Sequence, residues 1–325
     1  MGTFGLVMAA AAAAAVLLML LLRKKYGVST KSVLIFGVLA VPLCVLLGRG
    51  AFWLCSLDWI RYSDLSFWDF TGTGYTYMLY GAVIGGFAAA FLAAKISGVP
   101  FGRLADAAAA PAALTIAAGR FAEYLIDAGF GSGVAEWFDP YEGWSMIAWE
   151  DPEPICRFPF AVQNYYGTWR FSINLWEGLA AVVFLIVLLR MKKRRSGGAV
   201  VLLLLLYAVC QTIFESMRKD DVIIWHFVKA NQLISALLVL GILIFCWLKL
   251  PEAKRSIPKL CIRIGLLLLC AGIIMLMEFA LDQKIVFLMW MRADLSYMVI
   301  AAGCIGMLLT VLPVWRCAWP EQEGL

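Results

Sequence analysis

The chain has 325 residues, of which 63% are hydrophobic and 15% charged, with a formal net charge of +5. A soluble domain is about 45–50% apolar and about 25% charged, so this excess of apolar surface excludes an ordinary water-soluble fold and points to lipid as the solvent. The basic residues sit in short clusters between apolar runs, which is the mark of membrane topology and not of a nucleic-acid surface.

A spanning helix needs about 20 mostly apolar residues. Taken in chain order, the apolar runs predict spans at roughly 5–22, 32–54, 77–97, 106–127, 172–190, 198–217, 227–248, 260–281 and 294–314. The first run has no basic residue before its apolar core and is followed by Arg23-Lys24-Lys25. It therefore reads as a retained span and not as a cleaved signal. Pro42 falls inside the second run, which neighbouring helices can tolerate.

The connections Arg23–Lys31, Lys95–Arg103, Arg190–Arg195 and Lys249–Lys259 are basic. They alternate with the acidic or mixed connections Asp58–Asp69, Asp127–Arg170 and Arg218–Asp221. The positive-inside rule then places the N-terminus outside and the C-terminus in the cytoplasm. The Asp127–Arg170 connection carries Glu136, Asp139, Glu142, Glu150, Asp151 and Glu153 among several Trp and Tyr. A connection of this length is expected to fold as a cap on the outer surface. The nine cysteines show no metal-type spacing, and neither a metal nor a cofactor is expected.

Three predicted helices carry polar stripes. Arg120, Glu123 and Asp127 are spaced i, i+3, i+7, and Arg170, Asn174 and Glu177 are spaced i, i+4, i+7. Tyr207, Gln211, Glu215 and Arg218 are spaced i, i+4, i+8, i+11. Each set occupies one helix face, and the topology puts each at the outward end of its helix, with Arg218 furthest out. Tyr75, Tyr77 and Tyr80 open the third span at the same depth, and His226 and Lys229 open the seventh. Charge inside a span is costly, so such groups face a cavity or one another. Two readings follow: an ion-pair network that joins helices, or a pocket open to the outer leaflet in which arginine holds a lipid phosphate.

The order of these features resembles the bacterial prolipoprotein diacylglyceryl transferases over residues 1–250. Gly48-Arg49-Gly50-Ala51-Phe52-Trp53 resembles that family's Gly-Ala-Arg followed by aromatics, and Tyr80-Gly81-Ala82-Val83-Ile84-Gly85-Gly86 resembles its His-Gly-Gly-x-x-Gly. Asp106, Ala110-Pro111 and Gly119-Arg120 keep the spacing that leads into its Gly-Arg-x-Gly-Asn-Phe signature. Arg170-Phe171-Ser172-Ile173-Asn174-Leu175-Trp176-Glu177 aligns without gaps to its Arg-His-Pro-Ser-Gln-Leu-Tyr-Glu. Tyr207, Glu215 and Arg218 match its sixth span, and Gln232 and Ser235 resemble its Gly-Gln-x-x-Ser. The sequence departs from the family at Tyr80 (histidine there), Glu123 (asparagine), Ala128 (glutamate), Gln211 (arginine) and Phe171-Ser172 (His-Pro).

The apolar runs predict an all-α integral membrane protein of about nine transmembrane helices. The resemblance implies a seven-helix transferase-like core over 1–250 with an outward cap at 128–170, and the two-helix extension over 251–325 has no counterpart in the family. The resemblance also implies transfer of diacylglycerol from phosphatidylglycerol to the cysteine thiol of a prolipoprotein signal peptide, in a bacterial cytoplasmic membrane. Tyr80, Arg120, Glu123 and Glu215 are the implied catalytic residues. Asp127, Asn174, Glu177, Tyr207, Gln211 and Arg218 are the implied substrate-binding residues. A non-catalytic paralogue that binds lipid or peptide is the alternative.

Overall fold

The computed structural model describes residues 2–57, 67–68, 77–134, 155–163, 167–219, 223–225, 228–288 and 290–322. The expectations for the acidic stretch 135–154, for Tyr75 and for His226 fall outside these residues. Among the described residues there are nine long helices. They are α1 (Thr3–Tyr26), α2 (Thr30–Cys55), α3 (Leu79–Ser97), α4 (Phe101–Glu123), α5 (Ile173–Arg190), α6 (Gly198–Met217), α7 (Ala230–Lys249), α8 (Ile257–Leu281) and α9 (Ala293–Ala318). Eight are long and apolar enough to cross a membrane. The chain is an all-α integral membrane protein. The remaining helix, α4, carries Arg103, Asp106, Arg120 and Glu123, of which Asp106, Arg120 and Glu123 find partners inside the bundle.

α2 packs along α3, α1 against α4, and α4 against α5 and α6. α6 packs against α7 and α9, and α8 leans on α9. The α2–α3 contact is close because of glycine. A Cβ on Gly81 would stand 2.5 Å from the Ala51 Cβ, and one on Gly85 2.7 Å from the Cys44 Cα. This small-residue spacing lets backbones approach where no hydrophobic force separates protein from lipid.

One end of the bundle is basic. Lys25, at the end of α1, donates to the carbonyls of Leu189 (3.2 Å) and Met191 (2.8 Å). Nearby, the Asp106 carboxylate of α4 caps the N-terminus of α6. It accepts from the backbone N–H groups of Gly197 (2.6 Å), Ala199 (2.9 Å) and Val200 (3.0 Å). A helix leaves its first N–H groups without partners, and an anion there is favoured by the helix dipole. Asp106→Ala should therefore cost about 1–3 kcal/mol, read as a lower melting temperature in detergent.

The extension is fastened to the same end. Trp315 Nε1 donates to the Gly198 carbonyl at 3.0 Å, and Trp319 Nε1 to that of Ser196 at 3.1 Å. Arg194 donates to the Trp319 carbonyl (2.5 Å), pairs with Glu321 (2.7 Å) and lies 4.7 Å from the centre of the Trp315 ring.

At the opposite end, α4 runs into a turn of 3-10 helix (Tyr124–Ile126), and Asp127 takes a left-handed conformation with φ +54°. The chain then meets β2 (Trp169–Phe171), which pairs antiparallel with β1 (Ala161–Gln163). Gly131 N–H donates to the Phe171 carbonyl at 2.8 Å, and Gly133 bridges Arg170. Two expectations are corrected here. Arg170 is a strand residue and precedes α5, and Asp127 lies past the end of α4. Neither belongs to a helical stripe: a left-handed turn at Asp127 closes the end of α4, and pairing with residues 161–163 holds Arg170 in a strand before α5 begins.

Candidate functional site

The polar groups of α4, α5 and α6 meet at the end of the bundle away from the basic connections. Arg120 (α4) and Arg218 (just past α6) share the same two carboxylates, Glu123 and Glu177. Arg120 Nη1 lies 2.6 Å from Glu123 Oε1, and its Nε contacts Glu177 Oε2. Arg218 Nη2 lies 2.6 Å from Glu123 Oε2, and its Nε 3.0 Å from Glu177 Oε1. The result is a closed ring of two cations and two anions. Arg218, expected nearer the water, is a full member of it, with a side chain only 13% exposed.

The two carboxylates are not equivalent. Glu177 is 4% exposed, against 21% for Glu123. Glu123 accepts aligned hydrogen bonds from both arginines, whereas Glu177 contacts the two Nε atoms without aligned geometry. Glu123 is thus the more accessible carboxylate of the ring.

Position in the ring follows from packing. Phe121 of α4 covers Gly178 of α5, where a Cβ would collide with the ring, 2.6 Å from its Cδ1. This close approach brings Glu177 against α4. Asn174, fully buried, donates to the Ala128 carbonyl at 3.0 Å, while its backbone N–H donates to the Gly129 carbonyl at 2.9 Å. It secures the turn that covers the ring and does not join the ring itself. Gly129 has φ +76°, and a Cβ there would lie 2.5 Å from Glu123 Oε2 and 2.8 Å from Arg218 Nη2. Gly129→Ala should force the Glu123–Arg218 pair apart and strain the turn. The expected loss is about 1–3 kcal/mol, measurable as a lower melting temperature.

A hydrogen-bonded chain runs down α6 beside the ring. The Tyr207 hydroxyl donates to Gln211 Oε1 at 2.8 Å, and Gln211 Nε2 to Glu215 Oε2 at 2.9 Å. The Tyr207 hydroxyl also lies beside the Arg120 guanidinium. Tyr80 of α3 packs edge-on to Tyr207, with centroids 5.8 Å apart, and shares a 2.5 Å hydrogen bond with Ser235 of α7. A cavity of about 10 Å³ lies between Glu177, Tyr207, Cys210 and Gln211, room for about one water. Among the described residues, Glu177, Tyr207 and Gln211 pack closely around this small space.

Further polar residues gather at this end: Asn231 was not read from the sequence, and the sequence reading gave Arg49, Lys229, Gln232, Ser235 and Glu278 no site role. Asn231 donates to Glu215 Oε1 at 2.9 Å. Lys229 donates to the carbonyls of Glu215 (2.8 Å) and Ser216 (3.0 Å), closing the C-terminus of α6. Glu278 of α8 accepts from Gln232 at 2.6 Å and lies 3.8 Å from Lys229. Arg49 of α2 is 1% exposed, donates to the Phe67 carbonyl at 2.5 Å and lies over the Phe67 and Tyr77 rings. A lone arginine in an apolar run was the available signal for it. Asn231, Gln232 and Ser235, together at the start of an apolar helix, were the signal on α7.

Fold and site together define a polytopic α-helical membrane protein with a buried ionic centre at one end of its bundle. The family model for prolipoprotein diacylglyceryl transferase matches residues 1–248. The chain belongs to that family. It is 26% identical over 212 residues to the phosphatidylglycerol–prolipoprotein diacylglyceryl transferase of Halalkalibacterium halodurans, covering 65% of this chain and 70% of that protein. It is 27% identical over 233 residues to the enzyme of the same name from Shouchella clausii, covering 70% and 80%. α8 and α9 lie beyond the family match.

Proposed function

We propose that this protein transfers diacylglycerol from phosphatidylglycerol to the cysteine thiol of a lipobox peptide, as a step of lipoprotein biosynthesis. The observation that carries the reading is the convergence of Arg120 and Arg218 on the same two carboxylates. Two guanidinium forks that hold two carboxylates can hold the oxygens of one phosphate. A buried ion pair is weak evidence for stability, since apolar replacements of like volume often do as well. Its presence here therefore argues for use.

In this mechanism the phosphate of phosphatidylglycerol displaces Glu123, the less buried carboxylate, from the arginines. The freed Glu123 accepts the thiol proton as sulfur attacks the glycerol carbon. The new C–S bond forms as the C–O bond to phosphate breaks, and glycerol phosphate leaves as an anion held by Arg120 and Arg218. Glu177 remains as their buried counter-ion. Glu215, fixed by Gln211 and Asn231, orients Tyr207 toward Arg120. Tyr80 closes the third side, and Asp127 and Asn174 hold the covering turn.

The partners are phosphatidylglycerol, the prolipoprotein signal peptide and the surrounding lipid; nucleic acid is not among them. The protein spans the bacterial cytoplasmic membrane with its basic end and C-terminus in the cytoplasm and its N-terminus outside. Residues 1–250 form the transferase-like core, 128–170 its outward cap, and 251–325 a two-helix extension.

A second reading is a non-catalytic paralogue that binds lipid or peptide. The closed ring, its small adjoining cavity, and Tyr80 and Gln211 in place of the family's histidine and arginine favour it. The test is incubation of purified protein with phosphatidylglycerol and a lipobox peptide, followed by mass spectrometry. A peptide heavier by one diacylglycerol is the expected product. Binding of phosphatidylglycerol or of the peptide without that product supports the second reading, and absence of the product and of both bindings overturns the two together.

A further inference from the structure

A second pair of cations lies at the other end of the molecule, on helices outside the family match. Lys259 and Arg263 are spaced i, i+4 on α8 and lie on one face. They line a groove of about 440 Å³ with Ile262, Leu266, Leu309 and Thr310. Arg263 donates through Nη1 to the Thr310 carbonyl of α9. Below that contact, Pro313 has no amide to offer the Leu309 carbonyl. The groove is thus a polar notch at its basic end and an apolar trough beyond it. Ile262, Leu266 and Leu309 are 64%, 46% and 65% exposed.

Charge inside a membrane span persists where it meets a counter-charge. Among the described residues no carboxylate pairs with Lys259 or Arg263. The anion must come from the solvent of this surface, which is lipid. A guanidinium takes two phosphate oxygens at once and an ammonium adds a third contact. Seven residues separate Lys259 from Leu266, a rise of about 10 Å along the helix. That reach carries a ligand from a charged head at the water edge to acyl chain beside Leu266 and Leu309. The volume lies within the usual range for small-molecule sites, about 300–1,000 Å³, room for a headgroup and the first part of its chains.

We infer that the α8–α9 groove is a binding site for one anionic glycerophospholipid of the leaflet on the basic side, with Lys259 and Arg263 on its phosphate. The site is separate from the Arg120–Arg218 ring and independent of any transfer chemistry there.

The test uses the full chain in phosphatidylcholine nanodiscs doped with a photoreactive phosphatidylglycerol, with adducts mapped by mass spectrometry. Adducts should fall on the peptides holding Ile262–Leu266 and Leu309–Thr310. They should drop at least about ten-fold in the K259Q/R263Q double variant, the loss expected for two charge-assisted contacts. Arg120→Ala should leave this labelling intact, which separates the groove from the ring. Equal labelling by photoreactive phosphatidylcholine would overturn the inference, as would displacement by soluble glycerol phosphate. Should the double variant fail to fold, K259E, which keeps the Arg263–Thr310 contact, reads the same point, and undiminished labelling there overturns it.

Discussion

Replacing Glu177 with alanine should destabilise the protein by about 3–5 kcal/mol, the usual cost of breaking a buried ion pair from one side. Glu177 touches both guanidiniums and is almost wholly buried. Its loss leaves two cations sharing Glu123 in a low-dielectric setting. Glu123→Ala should cost clearly less, because its site is partly open and water can take its place. Thermal unfolding in detergent checks the ranking, and equal shifts for the two variants would contradict it. Replacing all four members with apolar residues of similar volume should restore much of the lost stability. A ring that served only to join the helices could then be dispensed with, so lipid binding in that variant separates the structural role from the functional one.

The second large effect concerns affinity for phosphatidylglycerol. Arg120→Ala and Arg218→Ala should each weaken binding roughly ten- to hundred-fold, from about 1.5–3 kcal/mol per charge-assisted contact. The double variant should bind below detection. The sequence reading put Arg120 among the implied catalytic residues and Arg218 furthest out on its helix. The geometry puts Arg218 in an equivalent position. Arg120→Lys should recover only part of the loss, since a point charge cannot reproduce the planar fork. Binding measured by native mass spectrometry decides the matter. Unchanged binding in both single variants would leave the ring as a purely structural device.

Much of the site was legible because a membrane helix makes polar residues conspicuous. Arg120 with Glu123, and Tyr207 with Gln211 and Glu215, stand out at helical spacing in apolar surroundings, and they do share faces. Asp127 and Arg170 were misread because helical spacing alone does not reveal where a helix stops. A left-handed turn ends the first stripe, and pairing with residues 161–163 turns the second into strand. The closed form of the ring was hidden for another reason. It depends on Arg218 meeting Glu123, 95 residues away, and no local pattern records such a meeting. Glu278 likewise reads as a stray charge until α8 is placed beside α7.

The extension is tied to the rest of the chain at both ends of the bundle: by Trp315, Trp319 and Arg194 at the basic end, and by Glu278 with Gln232 and Lys229 at the other. Between α7 and α8 the chain passes through Pro251 and the short exposed turn Glu252–Lys254. A protease admitted to that turn has a peptide bond to cut and no packing to undo. The two fragments should therefore stay together through detergent extraction and elute as one particle, separating only when the bundle itself is denatured.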